Sequence, residues 1–202
     1  MKLYIMRHGE TVWNSLRKLQ GTADIPLNEN GIRLAEITGK ALAEVPFDFA
    51  VSSPLSRAVE TARLVLKGRE IPIYTDERIR EIDFGEMEGS SIEDGMKGAY
   101  GENYKRFFQM PFAFQAPKGG ESIWDICART KEFWDELIRI PEYQEKTILI
   151  TAHGCAVRAL LQTAYGETGD FWHGKVPPNC SVNILEVKDQ KAVFLEEDKT
   201  YY

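Results

Sequence analysis

Short apolar runs alternate with longer amphipathic stretches along the chain. Leu3 to Met6 is an apolar run opening almost at residue 1 and reads as a central buried strand. "LNENGIRLAEITGKALAEV" follows as a helix, with Asn28 as its N-cap and Ile32, Ala35, Leu42 and Val45 as its apolar stripe. "FDFAVSS" is a second strand, and the helix "LSRAVETARLVLKG" begins after Pro54 and is ended by Gly68. "IPIYTD" supplies a third strand. Helical periodicity returns in "SIWDICARTKEFWDELIRI", capped by Ser122, followed by the strand "KTILITA" and the helix "GCAVRALLQTAYG". The runs "SVNILEV" and "AVFLEE" then read as a hairpin around "KDQK".

Strands alternating with helices predict an α/β fold with a mostly parallel sheet covered on both faces. Residues 1–202 form one domain in this reading. Between about 86 and 120, glycines and prolines break the chain into short helical pieces, which reads as an insertion over the site. In such sheets, ligands sit at the carboxyl ends of the strands. Arg7-His8, Ser52-Ser53 and His153 each follow a predicted strand, so three polar stretches fall on one edge.

Composition narrows the function classes. The chain is 43% apolar and 28% charged, as expected for a globular domain. Its 25 Lys and Arg against 31 Asp and Glu give a net charge of −6, which argues against a general nucleic-acid binder. Three widely spaced cysteines, Cys127, Cys155 and Cys180, include no CxxC pair. A disulfide framework or zinc ribbon is therefore not expected, and a reducing cytoplasm is the default location. "MKLYIM" is too short for a signal peptide, and no run approaches the ~18 apolar residues of a membrane span.

Arg7 and Arg57 converging on one point would hold a phosphoryl or carboxylate group, because guanidinium forks match such anions. Helix N-termini beside them add backbone N–H donors. A neutral imidazole there, from His8 or His153, serves as a nucleophile toward phosphorus, and Glu81 as a proton donor to the departing oxygen. Taken singly, Arg57 and Glu81 read more readily as surface charges than as catalytic groups, and His153 equally as a structural histidine. No HxH, HExxH or DxD spacing supports a metal site made by His8, His153 and His173. Cys155 reads as a small apolar residue at a helix start, and the tail "DKTYY" as a solvated end.

Six stretches occur together and in order: "RHGET" with "WN" three residues after its Glu, "QGTADIPLNENG", "SSPLSRAVETA", "EIDFGEMEG", "GGES" and "HGCAVR". In this the chain resembles the histidine phosphatase superfamily, the phosphoglycerate-mutase-like family with the RHG signature, from residue 3 to about 185. The resemblance implies a three-layer α/β/α fold and metal-independent chemistry without a cofactor. It implies that His8 is the phosphorylated nucleophile, that Arg7, Arg57 and His153 complete the phosphate pocket, and that Glu81 is the acid/base carboxylate. Asn14 matches a phosphate-contacting position, and Gln20 and Gly21 match the substrate mouth. Gly154 sits where a backbone N–H faces the phosphate.

The stretch "SIEDGMKGAYGENYKRFFQMPFAFQAPKGGES" looks more like the short bacterial phosphatases than the dedicated mutases, having one basic pair, Lys105-Arg106, and no proline run. The expectation is a phosphomonoesterase acting on a small phosphorylated metabolite; phosphoglycerate-mutase-type transfer and a non-catalytic phospho-ligand binder are the alternatives. Lys105 and Arg106 either meet a second anionic group or are solvated. The aromatics Tyr100, Tyr104, Phe107, Phe108, Phe112 and Phe114 are divided between lid and core. A homodimer is expected only from the frequency of such assemblies.

Overall fold

The computed structural model describes residues 1–98, 100–166 and 169–202. In chain order the main elements are β1 (Lys2–Arg7), α1 (Val12–Ser15), α2 (Glu29–Ala41), β2 (Phe49–Ser52), α3 (Ser56–Val65) and β3 (Ile73–Thr75). They continue with α4 (Ile92–Lys97), α5 (Gly101–Gln109), α6 (Ile123–Leu137), β4 (Thr147–Ala152), α7 (Gly154–Tyr165), β5 (Val182–Lys188) and β6 (Lys191–Lys199). The strands lie in the order β3-β2-β4-β1-β5-β6. β1 through β4 are mutually parallel, and β5 and β6 add an antiparallel hairpin at one side.

β1 shows why the sheet is covered twice. Leu3 and Ile5 enter one core with residues of α6 and α7, while Tyr4 and Met6 enter a second core with residues of α2. Successive side chains of a strand point to opposite faces, so a continuous apolar run requires a layer on each side. α2 packs on α3, and α6 on α7, giving the three-layer α/β/α arrangement.

Local signals fix several boundaries as expected. Asn28 caps α2 by accepting the Gly31 N–H, and Ser122 forms a reciprocal capping box with Asp125 at α6. Asp189 and Gln190 both take positive φ in the two-residue turn between β5 and β6, as a type I′ hairpin requires. Three expectations need correction. Ala35 and Leu42 are buried as expected, but Ile32 is 39% exposed, and Leu34, Thr38 and Gly39 complete the buried face of α2. A Cβ on Gly39 would lie 2.9 Å from the Val65 backbone, so this close helix contact selects small residues over the nearest apolar ones. α3 ends at Val65, and Gly68 takes its positive φ in the turn beyond.

The third correction concerns the tail. β6 runs on to Lys199, and Asp198 pairs with the buried Arg158 of α7 at 2.6 Å. Arg158 also donates to the Lys175 carbonyl and the Tyr165 hydroxyl, and Tyr202 donates to the Asn179 carbonyl. The tail is therefore tied to the loop between α7 and β5 instead of being solvated. His173 of that loop stacks on Tyr165 with ring centroids 3.4 Å apart.

Removing one partner of a buried ion pair costs about 3–5 kcal/mol because the other charge stays uncompensated. Arg158→Met is expected to lower denaturant stability by that order, and adding Asp198→Asn to recover part of the loss. Urea unfolding of both variants checks this; an unchanged midpoint in Arg158→Met would show that the pair does not anchor the tail.

Candidate active site

Parallel pairing brings the polar stretches to one sheet edge. β1 and β4 end in register at Arg7 and Ala152, the His8 N–H donates to the Ala152 carbonyl, and the Ser53 N–H donates to the Thr151 carbonyl. His8, Ser53 and His153 thereby stand at the carboxyl ends of three neighbouring strands. The His8 and His153 rings are 5.0 Å apart, centroid to centroid.

The hydrogen bonds decide the tautomers. His8 Nδ1 lies 2.6 Å from the Gly9 carbonyl oxygen, which can only accept, so Nδ1 carries the proton and Nε2 keeps its lone pair. His153 is the reverse: its Nδ1 accepts from Arg57 Nε at 3.2 Å, and its Nε2–H donates to Ser53 Oγ at 2.7 Å. Burial, followed by the charges of Arg57 and Arg7, pushes the His8 pKa well below the ordinary 6.5. Burial and Arg57 act on His153 in the same direction. Both imidazoles are neutral at physiological pH.

Glu81 sits where α7 begins. Its Oε2 accepts the Cys155 N–H and its Oε1 the Ala156 and Ile82 N–H groups, each at 3.1 Å. The Cys155 and Ala156 N–H groups are donors that the N-terminus of α7 leaves without intrahelical partners. Burial raises the Glu81 pKa, and the Cys155 and Ile82 N–H groups and two arginines offset that only in part. Cys155 is buried, with its thiol pushed well above the ordinary range, so it packs as an apolar residue.

The arginines differ in their commitments. Arg57 is fully buried; besides His153 it donates to the Ala23 and Gly21 carbonyls, using three of its five N–H groups. Burial lowers its pKa to about 10, so it remains a cation. Arg7 Nη1 donates to the Pro177 carbonyl at 2.6 Å, while the buried Nε finds no acceptor among the described residues. Gln20 Nε2 is likewise buried without a partner there. A buried donor left unpaired carries a desolvation cost, which an anion in the adjoining cleft would remove. That cleft, about 270 Å³, is lined by Arg7, Asn14, Gln20, Glu81, Gly154 and Asn179 among others, and on apolar sides by Phe107, Phe108 and Trp172. His8, Arg57 and His153 are almost fully buried and do not contribute to that lining.

Gly9 follows His8 where two backbone segments meet closely. A Cβ on Gly9 would stand 2.6 Å from the Gly31 carbonyl oxygen, so the glycine permits β1 to run against the start of α2. Gly21 is held from another direction: Glu88 accepts the N–H groups of Gly21, Thr22, Ala23 and Phe84. Asn14 donates to Gln20 Oε1 and accepts from Asn179 Nδ2, which also donates to the His8 carbonyl. The Gly9 N–H donates to Thr61 Oγ1, whose hydroxyl donates to the Arg57 carbonyl. Nothing in the sequence singles out Thr61, Glu88 or Asn179; the first two lie inside the quoted motifs, and the sequence places Ser53 at a strand end without giving it a role.

The insertion resolves into both of its readings. Tyr104, Phe107 and Phe114 are buried, Phe108 is half-buried on the cleft, and Tyr100 is exposed. Phe107 makes edge contacts to Phe84, Phe108, Phe114 and Trp172. Lys105 pairs with Glu102 at the surface, and neither it nor Arg106 lines the cleft; Lys18 does. Among the described residues no three His, Cys, Asp or Glu side chains gather as a metal set, and no helix is long and apolar enough to cross a membrane.

A family model described as "Histidine phosphatase superfamily (branch 1)" matches residues 3–199. The chain belongs to that superfamily. It is 32% identical over 185 residues to the "Uncharacterized phosphatase PhoE" of Bacillus subtilis, covering 89% of this chain and 86% of that one. It is 35% identical over 164 residues to the "2,3-bisphosphoglycerate-dependent phosphoglycerate mutase 2" of Gloeobacter violaceus, covering 79% and 73%. It spans only 38% of a "Probable 2-carboxy-D-arabinitol-1-phosphatase" of Arabidopsis thaliana, at 29% identity over 92% of this chain. The solved structure of "Bacillus stearothermophilus YhfR" superposes with a TM-score of 0.91 at 33% identity, covering 98% and 97% of the two chains. This histidine phosphatase therefore carries phosphoryl-transfer chemistry through a phosphohistidine, and phosphatases recur among its relatives.

Among the described residues, Glu88 is the acidic group that gathers the Gly21–Ala23 turn. A hydrogen bond to a charged group contributes about 1.5–3 kcal/mol, so Glu88→Ala is expected to cost at least that much stability and to raise KM. Denaturant unfolding and steady-state kinetics check it; unchanged KM and stability would show the turn to be held by Arg57 alone.

Proposed function

We propose that this protein is an acid-type phosphomonoesterase in which His8 is the nucleophile and Glu81 the proton donor, on one domain spanning residues 1–202 with an insertion at about 86–120. The observation that carries the assignment is the His8 tautomer: Nδ1–H is spent on the Gly9 carbonyl, leaving Nε2 to attack. The Nε2 lone pair forms a bond to phosphorus while the bond to the leaving-group oxygen breaks, and Glu81 gives that oxygen its proton. Water then attacks the phosphohistidine, its proton passing to the Glu81 carboxylate, and inorganic phosphate leaves with His8 neutral again. Arg7, Arg57, the Gly154 N–H, Asn14 and Gln20 surround the transferred group and offset its charge. His153, both of whose nitrogens are engaged, acts through the Arg57 guanidinium that it orients.

Small phosphorylated metabolites fit a cleft of this size. Its aromatic wall receives the leaving group, and Lys18 is the added cation on the lining. Hydrolysis is favoured over mutase-type transfer because Lys105 and Arg106, the one basic pair of the insertion, lie off the cleft.

The pH dependence follows from two signs. Activity needs neutral His8, whose pKa is depressed, so it falls only when the pH drops below that low value. Activity on substrates that need a proton requires protonated Glu81, whose pKa is raised, so it falls as the pH rises above that value. The optimum is therefore expected on the acid side of neutrality. Release of p-nitrophenol from p-nitrophenyl phosphate should be unaffected by EDTA and abolished in His8→Ala, and rapid acid quench should leave labelled phosphate on His8. Loss of turnover in EDTA, or absence of label, would contradict the mechanism. Interconversion of 2- and 3-phosphoglycerate faster than their hydrolysis would instead establish a mutase.

A further inference from the structure

Glu81 is carried by a segment that belongs to no strand, running between the 3-10 turns Glu77–Ile79 and Gly85–Met87. Without sheet pairing, something else must fix where its carboxyl stands. Arg129, on α6, supplies that. Its Nη1 donates to the Arg78 and Arg80 carbonyls, both at 2.8 Å, and its Nη2 to the Glu81 carbonyl at 3.0 Å. The remaining donors form a two-pronged pair with Glu121, Nε to Oε1 and Nη2 to Oε2, each at 2.8 Å. All five N–H groups of the guanidinium are thus used.

Glu121 completes the bracket from the other side of Glu81. Its Oε2 accepts the Asp83 N–H at 3.0 Å, and its own N–H donates to the Asp83 carbonyl at 2.8 Å. Burial alone would raise the Glu121 carboxyl, yet Arg129 and the Asp83 N–H hold it below the ordinary range, so the pair stays charged. Neither side chain lines the cleft. Arg129 is 16% and Glu121 22% exposed, so the pair is largely shielded from competing water.

We propose that the Arg129–Glu121 pair is the positioning device for the proton donor, gripping the backbone on both sides of Glu81 so that its carboxyl meets the first turn of α7. The inference rests on Glu81 being that donor. A planar fork fixes three carbonyls at once, which an ammonium on a flexible stem does less well. A small displacement of an acid from its leaving group costs proton transfer before it costs binding.

The test compares two substrates of similar shape in the full-length enzyme: p-nitrophenyl phosphate, whose leaving group needs little protonation, and phenyl phosphate, which needs more. Arg129→Lys and Glu121→Gln are expected to lower kcat for phenyl phosphate at least about tenfold more than for p-nitrophenyl phosphate, within the 10²–10⁴-fold range of acid catalysis. The alkaline limb of the phenyl phosphate profile should also move, with KM nearly unchanged. Arg129→Met should show the larger effect of the two Arg129 variants; should it fail to fold, Arg129→Lys and Glu121→Gln decide the matter. Equal losses on both substrates in these variants, with a selective loss in Glu81→Ala, would overturn the positioning role and leave the acid role intact. Equal losses in Glu81→Ala itself would overturn the acid role and the proposal with it.

Discussion

One hydrogen bond sets the state of the whole site: the Nδ1–H of His8 to the carbonyl of Gly9, the next residue in the chain. It is local, so it holds only if the backbone at the end of β1 is held. The surrounding structure is arranged to do that. The Gly9 N–H is fixed by Thr61, the His8 carbonyl by Asn179 and the His8 N–H by Ala152. The absence of a Cβ on Gly9 lets the whole turn lie against Gly31. With Nδ1 occupied, only Nε2 retains a lone pair for a new bond.

The electrostatic setting then makes that lone pair persistent. A buried imidazole between two guanidinium groups is disfavoured as a cation by desolvation and by like charge. The same arginines do not hold Glu81 down, because its burial outweighs them. The two groups are thus shifted in opposite senses, the imidazole downward and the carboxyl upward, as neighbouring groups in different surroundings can be. Among the described residues, Arg7 Nε and Gln20 Nε2 are buried beside the cleft without an acceptor.

What could be read from the sequence was what is local or carried by motifs. Caps at Asn28 and Ser122 depend on side chains three residues from their targets, and the strand-edge placement of His8 and His153 follows from apolar runs that end beside them. The contacts that support the site are long-range. Thr61 lies 52 residues from Gly9, Glu88 lies 67 from Gly21, and Asp198 lies 40 from Arg158. No periodicity links such pairs, and a threonine or glutamate inside a helix or turn looks ordinary until its partner is seen. The tail misled for the same reason: "DKTYY" is polar by composition, but Asp198 has a buried partner that only the fold supplies. In α2, Ala35 and Leu42 turn inward as their spacing predicts, but helix packing there selects for small size over hydrophobicity, placing Thr38 and Gly39 inward and Ile32 outward.

The central claim, a neutral His8 protonated on Nδ1 and free on Nε2, is tested most directly by nitrogen NMR of histidine-labelled enzyme across the acid range, assigned with a His8→Gln variant. The account predicts an Nδ1–H tautomer for His8 that persists well below the ordinary histidine pKa of ~6.5. A His8 resonance that titrates at or above that value, or that reports an Nε2–H tautomer, would contradict it.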